Sequence, residues 1–244
     1  MWDRKELKAR GKAAFKANYW RCVLAALILA LLAGCTGAGV SMRTQQGLQE
    51  QQEQTLQQVQ EAFDQMTPAD RSITVKAVAG AVSSVLGVSL VLSILVFNPL
   101  TVGCQRFFRR NTEGPADLDE LGYGFRNGYG RVVKTMLLTD VFLILWSLLF
   151  LIPGLVKSYS YRMVPFILSD EPELEGRAAI DRSREMMNGH KWRAFVLDLS
   201  FLLWAILSVI TLGLVGVFYA DPYYFATNAE LYQALKGGSW AAAE

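Results

Sequence analysis

The chain has 244 residues, 52% of them hydrophobic, and a positive mean hydropathy, a composition that excludes an ordinary soluble domain. Its 24 Lys and Arg side chains against 22 Asp and Glu leave a formal charge of +2, too weak a field to gather nucleic acid. Cys22, Cys35 and Cys104 lie far apart, and His190 has no second ligand at metal-binding spacing. A structural zinc site is therefore excluded. No GxSxG or HExxH occurs, so the common hydrolase signatures are missing as well. The expectation is an all-α, polytopic helical membrane protein of about six transmembrane helices, a single integral domain over residues 1–244, not an enzyme and without a cofactor.

Residues 1–19 place Trp2, Leu7, Ala14 and Phe15 among six Lys and Arg side chains. That pattern predicts an amphipathic interfacial helix resting on anionic lipid headgroups. A first span follows over 20–40, about the length a bilayer core requires. Within it, Leu32-Ala33-Gly34-Cys35 matches a lipobox, at which cleavage would leave a lipidated Cys35. The long patterned leader and the apolar continuation through Gly39-Val40 favour the uncut chain.

Residues 41–72 change character, with ten glutamines between Gln45 and Gln65 and with Leu56, Val59, Phe63 and Met66 at helical spacing. They predict an extracytoplasmic polar helix or hairpin ended by Thr67-Pro68, with low-complexity disorder as the alternative. A second span, 73–104, is rich in small residues that favour close helix contact, and Asn98-Pro99 should interrupt it near its end. The glycines of 122–130 follow no strand, so they are no nucleotide fingerprint and read as a flexible surface loop.

The third span, 131–152, meets a turn at Pro153-Gly154, and a fourth returns to about Ser169. Residues 170–192 read as a cytoplasmic amphipathic loop, with Ala179, Ile180, Met186 and Met187 opposed to Arg177, Asp181, Arg182, Arg184 and Glu185. A fifth span covers 191–211. After a turn at 213–216, a more polar sixth carries Asp221-Pro222, Asn228 and Glu230. With six spans, nineteen of the 24 basic residues fall on one side, which places both termini in the cytoplasm of a bacterial cell (plasma) membrane and the glutamine-rich insert outside.

Several ordered motifs resemble the bacterial domain-of-unknown-function family 975. They are the opening WDRKELKARGKAAFKANYW, Ile152-Pro153-Gly154 followed by Tyr159-Ser160-Tyr161, the Ser183, Met187, Gly189 and Lys191 pattern leading to Phe195, and Pro222-Tyr223 with Tyr232. The resemblance implies a multi-pass bacterial membrane protein and supports retention of the whole chain. It implies no activity, substrate or site.

Ionisable groups within spans are costly and need partners. The candidates form an intramembrane polar network of Asp140, Lys157, Arg162, Asp198, Asp221, Asn228 and Glu230. Counting depth from the Pro153-Gly154 turn at ~1.5 Å per residue places Asp140 and Arg162 ~5 Å apart, which predicts an ion pair between them. Lys157 is expected to meet Asp221. Asp198, Asn228 and Glu230 share a level at which two carboxylates need an intervening cation. These charges serve either to hold helices in register or to line a pathway walled by Tyr159 and Tyr161. The leading functional expectation is a non-enzymatic membrane module that binds lipid or a partner membrane protein. A small secondary transporter of an ion or solute is the alternative.

Overall fold

The computed structural model describes residues 2–35, 68–171, 173–174, 176–211 and 213–240, and every regular element among them is helical. The glutamine-rich run lies outside the described residues. Three helical runs are long and apolar enough to cross a membrane: Thr74–Glu113, Tyr129–Leu149 and Lys191–Ile210. A fourth is added if α1 (Arg4–Ala17) and the start of α2 (Tyr19–Cys35), bent on each other by 106°, count as one.

The longest run is α3 (Pro68–Leu92), a π turn (Ser93–Phe97) and α4 (Asn98–Glu113). Pro99 explains the break, because it has no N–H to give the Leu95 carbonyl one turn back. The backbone widens so that the Asn98 N–H reaches the Ser93 carbonyl, and the Tyr129 hydroxyl donates to Leu95 O at 2.8 Å. The expected interruption is thus a π bulge whose stranded carbonyl is satisfied from another helix.

The same device recurs before Pro222. There the π turn Gly216–Ala220 carries an Asp221 N–H to Gly216 O bond, and the Tyr19 hydroxyl donates to Phe218 O at 3.0 Å. On either side of the first bulge the surroundings differ. Along α3, Val75, Val78, Val85, Val88 and Leu90 are exposed, whereas Val102, Cys104, Phe107 and Phe108 of α4 are wholly buried.

After α4 the glycine-rich stretch divides: Tyr123 and Gly124 are packed, which corrects the expectation of a loop there, whereas 125–130 are exposed. A 3-10 turn (Leu118–Gly122) and a single helical turn (Tyr123–Arg126) lie against α4. Tyr123 is buried beneath the Arg106 guanidinium, 3.8 Å from the ring centre.

Helices α5 (Tyr129–Leu149) and α6 (Leu151–Tyr161) form a hairpin. Its turn is at Phe150, whose backbone is extended (φ −159°, ψ 146°), and not at Pro153-Gly154. Pro153 sits in the first turn of α6, where a missing N–H costs nothing. Gly154 lets the two helices touch, since a Cβ there would stand 2.6 Å from Ser147 Oγ.

The chain breaks again at Arg162-Met163 before α7 (Val164–Asp170). Ser183 of α8 (Arg177–Met186) stitches this break: its hydroxyl donates to Ser160 O at 2.8 Å and accepts from Met163 N–H at 3.2 Å. These are backbone groups at a helix break, where internal partners run out.

The chain then continues through α9 (Lys191–Leu199), α10 (Leu202–Ile210) and α11 (Asp221–Trp240). Helices α7 and α11 form the inner layer, with Phe166, Ile167, Leu168, Ala229, Leu231 and Tyr232 inaccessible. Wrapped by protein, they tolerate polar residues that a lipid-facing helix would not.

Against them packs α1, which buries Leu7, Gly11 and Phe15. A Cβ on Gly11 would lie 2.8 Å from Thr227 Cα. The thin apolar face of α1 is therefore spent on protein, while Arg4, Lys5, Lys12 and Lys16 point outward. An apolar skin remains on the hairpin tip and on α10, where Leu148, Phe150, Ile152, Leu203 and Ile210 are each more than 60% exposed.

Candidate functional site

The break between α6 and α7 frees Arg162 to turn inward, and its guanidinium becomes the centre of a polar cluster drawn from three helices, α6, α9 and α11. Nη1 and Nη2 donate to the two carboxylate oxygens of Asp198 on α9, each at 2.8 Å. Nη2 also reaches the Tyr224 hydroxyl at 2.7 Å and Asn228 Oδ1 at 2.6 Å, both on α11. Asp198 accepts two further bonds, from the hydroxyls of Tyr159 (2.8 Å) and Tyr224 (3.2 Å). A carboxylate offers about four lone-pair sites; here four donors occupy them. The two-pronged geometry is the strongest form of this contact. Asn228 is fixed in turn by its own amide donating to Tyr224 O at 3.0 Å.

The expected Arg162 to Asp140 pair is not formed. Depth along a hairpin sets level but not direction around the helix axis, and Asp140 faces α4, where it accepts from Asn98 Nδ2 at 2.9 Å. Nor does Lys157 meet Asp221. Its ammonium lies 4.4 Å from the centre of the Trp146 ring and shares a cleft with Lys191 and Arg184.

The physical reason is the course of α6. Its contacts with α9 rise together along both helices: Lys157 beside Lys191, Tyr159 near Phe195, Arg162 on Asp198. Helices α6 and α9 therefore run side by side in the same direction, and only α7 turns to follow α11. Asp221 lies inside a continuous helical run, directly after the π turn, with its N–H already bonded to Gly216 O.

Glu230 is buried, 3% exposed, and Arg10 of α1 covers it at 2.9 Å. The shared level of Asp198 and Glu230 is thus resolved by two separate guanidiniums, Arg162 for one and Arg10 for the other. Lys8 belongs to the same seam, donating to Ser200 O at 3.3 Å with its ammonium 4.5 Å from the Phe201 ring centre.

A second cluster was not foreseen. Asp170, at the end of α7, accepts from Tyr232 at 2.9 Å and pairs with Arg109 at 3.3 Å and with Lys236. Tyr232 also stacks on Phe166, ring centres 5.1 Å apart. The signal was present in the spacing of Tyr232 and Lys236, one helical turn apart on a single face.

At the other edge, His190 packs 6.2 Å from Trp2. Burial first, then the Arg193 charge and that of the N-terminus, hold its pKa below the ordinary histidine range. Among the described residues no three His, Cys, Asp or Glu side chains converge as a metal site.

The exposed apolar belt and the internally matched charges define a helical protein with helices able to cross a membrane and a polar core closed on itself. Residues 128–239 match the model of the family described as "Protein of unknown function (DUF975)", as the motifs of that stretch suggested. The opening motif lies before the matched stretch. No curated protein and no solved structure matches the chain.

The family marks acquire physical roles here. Gly154 closes the hairpin, Ser183 stitches the α6–α7 break, Tyr159 holds Asp198, and Tyr232 holds Asp170.

Proposed function

We propose that the protein is a multi-pass membrane protein acting as a non-enzymatic module that binds lipid, with its buried charges serving as structural staples. In this reading the long apolar runs Thr74–Glu113, Tyr129–Leu149 and Lys191–Ile210 cross a bacterial cell membrane. The observation that carries it is the closure of the Arg162 cluster. Every acceptor site of Asp198 is taken by a donor from the same chain, so a passing cation or proton finds no vacant acceptor there.

The test compares Asp198→Asn, Arg162→Gln and the double variant in the full chain. Loss of folded protein in either single variant, partly restored in the double, is the expected result. Well-folded single variants with altered proton or ion flux in reconstituted vesicles would replace this reading by transport.

A further inference from the structure

One charged cluster is left open. Lys157 and Ser160 of α6, Asp181, Arg184 and Glu185 of α8, Asn188 and Lys191 line a cleft of about 460 Å³. Asp181 is committed to Arg184 at 2.7 Å. Glu185 is 72% exposed and turned toward Arg182, 3.9 Å away. Among the described residues neither Lys157 nor Lys191 has a carboxylate within ion-pair distance, and the only close partner of the Lys157 ammonium is the Trp146 ring. Three cations thus line the cleft with two carboxylates, only Asp181 is matched to one of the three, and the remaining net charge of +1 with two unpaired ammonium groups favours an anion.

The surroundings say which kind. Leu155 and Val156 beside Lys157 are exposed, as are Leu148 and Ile152 at the hairpin tip, and Trp192 next to Lys191 is 72% exposed. A basic cleft edged by bare aliphatic surface and by Trp146 and Trp192 has the chemistry of a membrane interface, where indole rings and lysines meet headgroups. We infer that this cleft binds the phosphate of an anionic lipid, with Lys157, Lys191 and the Asn188 amide around the headgroup and the acyl chains along α6. The inference rests on the lipid-embedded reading above and deepens it by naming the site. The same donors fit free phosphate, which would leave the apolar flank unused.

The experiment is native mass spectrometry of the full-length protein in detergent, titrated with phosphatidylglycerol or with phosphatidylcholine of matched chains. The K157Q/K191Q variant is compared with K12Q/K16Q, which removes the same charge from the exposed face of α1. The site predicts retention of phosphatidylglycerol over phosphatidylcholine by wild type and by K12Q/K16Q. Affinity falls about tenfold or more in K157Q/K191Q, on the basis of roughly 1 kcal/mol per interfacial lysine. K157R/K191R should keep binding, and the single K191Q carries the test if the double variant does not fold.

Equal binding by all variants overturns the site while leaving lipid binding in place. No retention of either lipid by wild type overturns both readings. Displacement of phosphatidylglycerol by millimolar inorganic phosphate at constant ionic strength assigns the cleft to free phosphate and overturns the lipid.

Discussion

The Arg162 cluster and the Lys157 cleft use the same side-chain chemistry within two turns of one helix, and they differ in whether the chain completes its own charges. At Arg162, donors from α6 and α11 fill the carboxylate of Asp198, and the guanidinium is shared among three side chains. At Lys157 the ammonium has an indole face and like-charged neighbours. A closed cluster contributes to folding and has nothing left to offer a ligand; an open one is costly until something binds. The lesson is that an ionisable residue in an apolar segment signals function through its unmet valence, not through its presence.

The sharpest way to break this comparison is to open the closed cluster. Arg162→Gln or Asp198→Asn leaves a partly buried charge without its partner and should cost about 2–3 kcal/mol, with part regained in the double variant. Unfolding of the purified protein in a denaturing detergent titration would measure it; a loss below 1 kcal/mol, on the scale of an exposed pair, would mean the cluster is not closed.

Next in size, Ser183→Ala removes both bonds across the α6–α7 break and is expected to cost about 1–3 kcal/mol. Hydrogen exchange should rise at Ser160 to Met163, whereas protection unchanged there would show that the break holds without the serine. Tyr129→Phe and Tyr19→Phe each strip one bond from a π turn, about 1 kcal/mol apiece in the same unfolding assay. By contrast, K157Q/K191Q should leave stability within about 0.5 kcal/mol, since no ion pair is lost. A large destabilisation would place these lysines among the staples.

The smallest effect belongs to His190. Its folded pKa lies below the unfolded value of 6.5, so the unfolded chain binds the extra proton, and stability falls as pH drops from about 6.5 toward the folded pKa. His190→Gln should flatten that slope; a slope that survives the substitution would assign it to another group.

Much of this architecture was legible in the residues. Apolar blocks marked the long helices and Pro99 marked the bulge, but the partners within the charged set were not legible: Arg162, paired with Asp140 in the sequence reading, meets Asp198 and Asn228, and the cation beside Glu230 is Arg10. What failed was direction. A depth estimate along a hairpin cannot tell which way Asp140 points around its helix, so Asn98 went unnamed as its partner. Pro153-Gly154 looked like a turn because proline and glycine do mark turns, yet Pro serves equally in a first helical turn and Gly in a tight crossing. The basic pattern of α1 fits a lipid surface and a protein groove alike, and only the neighbouring Thr227 decides between them.

The paired π turns give the molecule joints. A helix that lacks an internal bond at one point acts as two rigid arms, and the angle between them is set by whatever holds the stranded carbonyl. For the arm 68–92, bare of protein along much of its length, that holder is Tyr129, the first residue of α5. That one phenolic hydrogen bond also reaches further, since the hairpin that Tyr129 opens carries Lys157 on its returning limb, so the long arm and the basic cleft share a single mechanical tie.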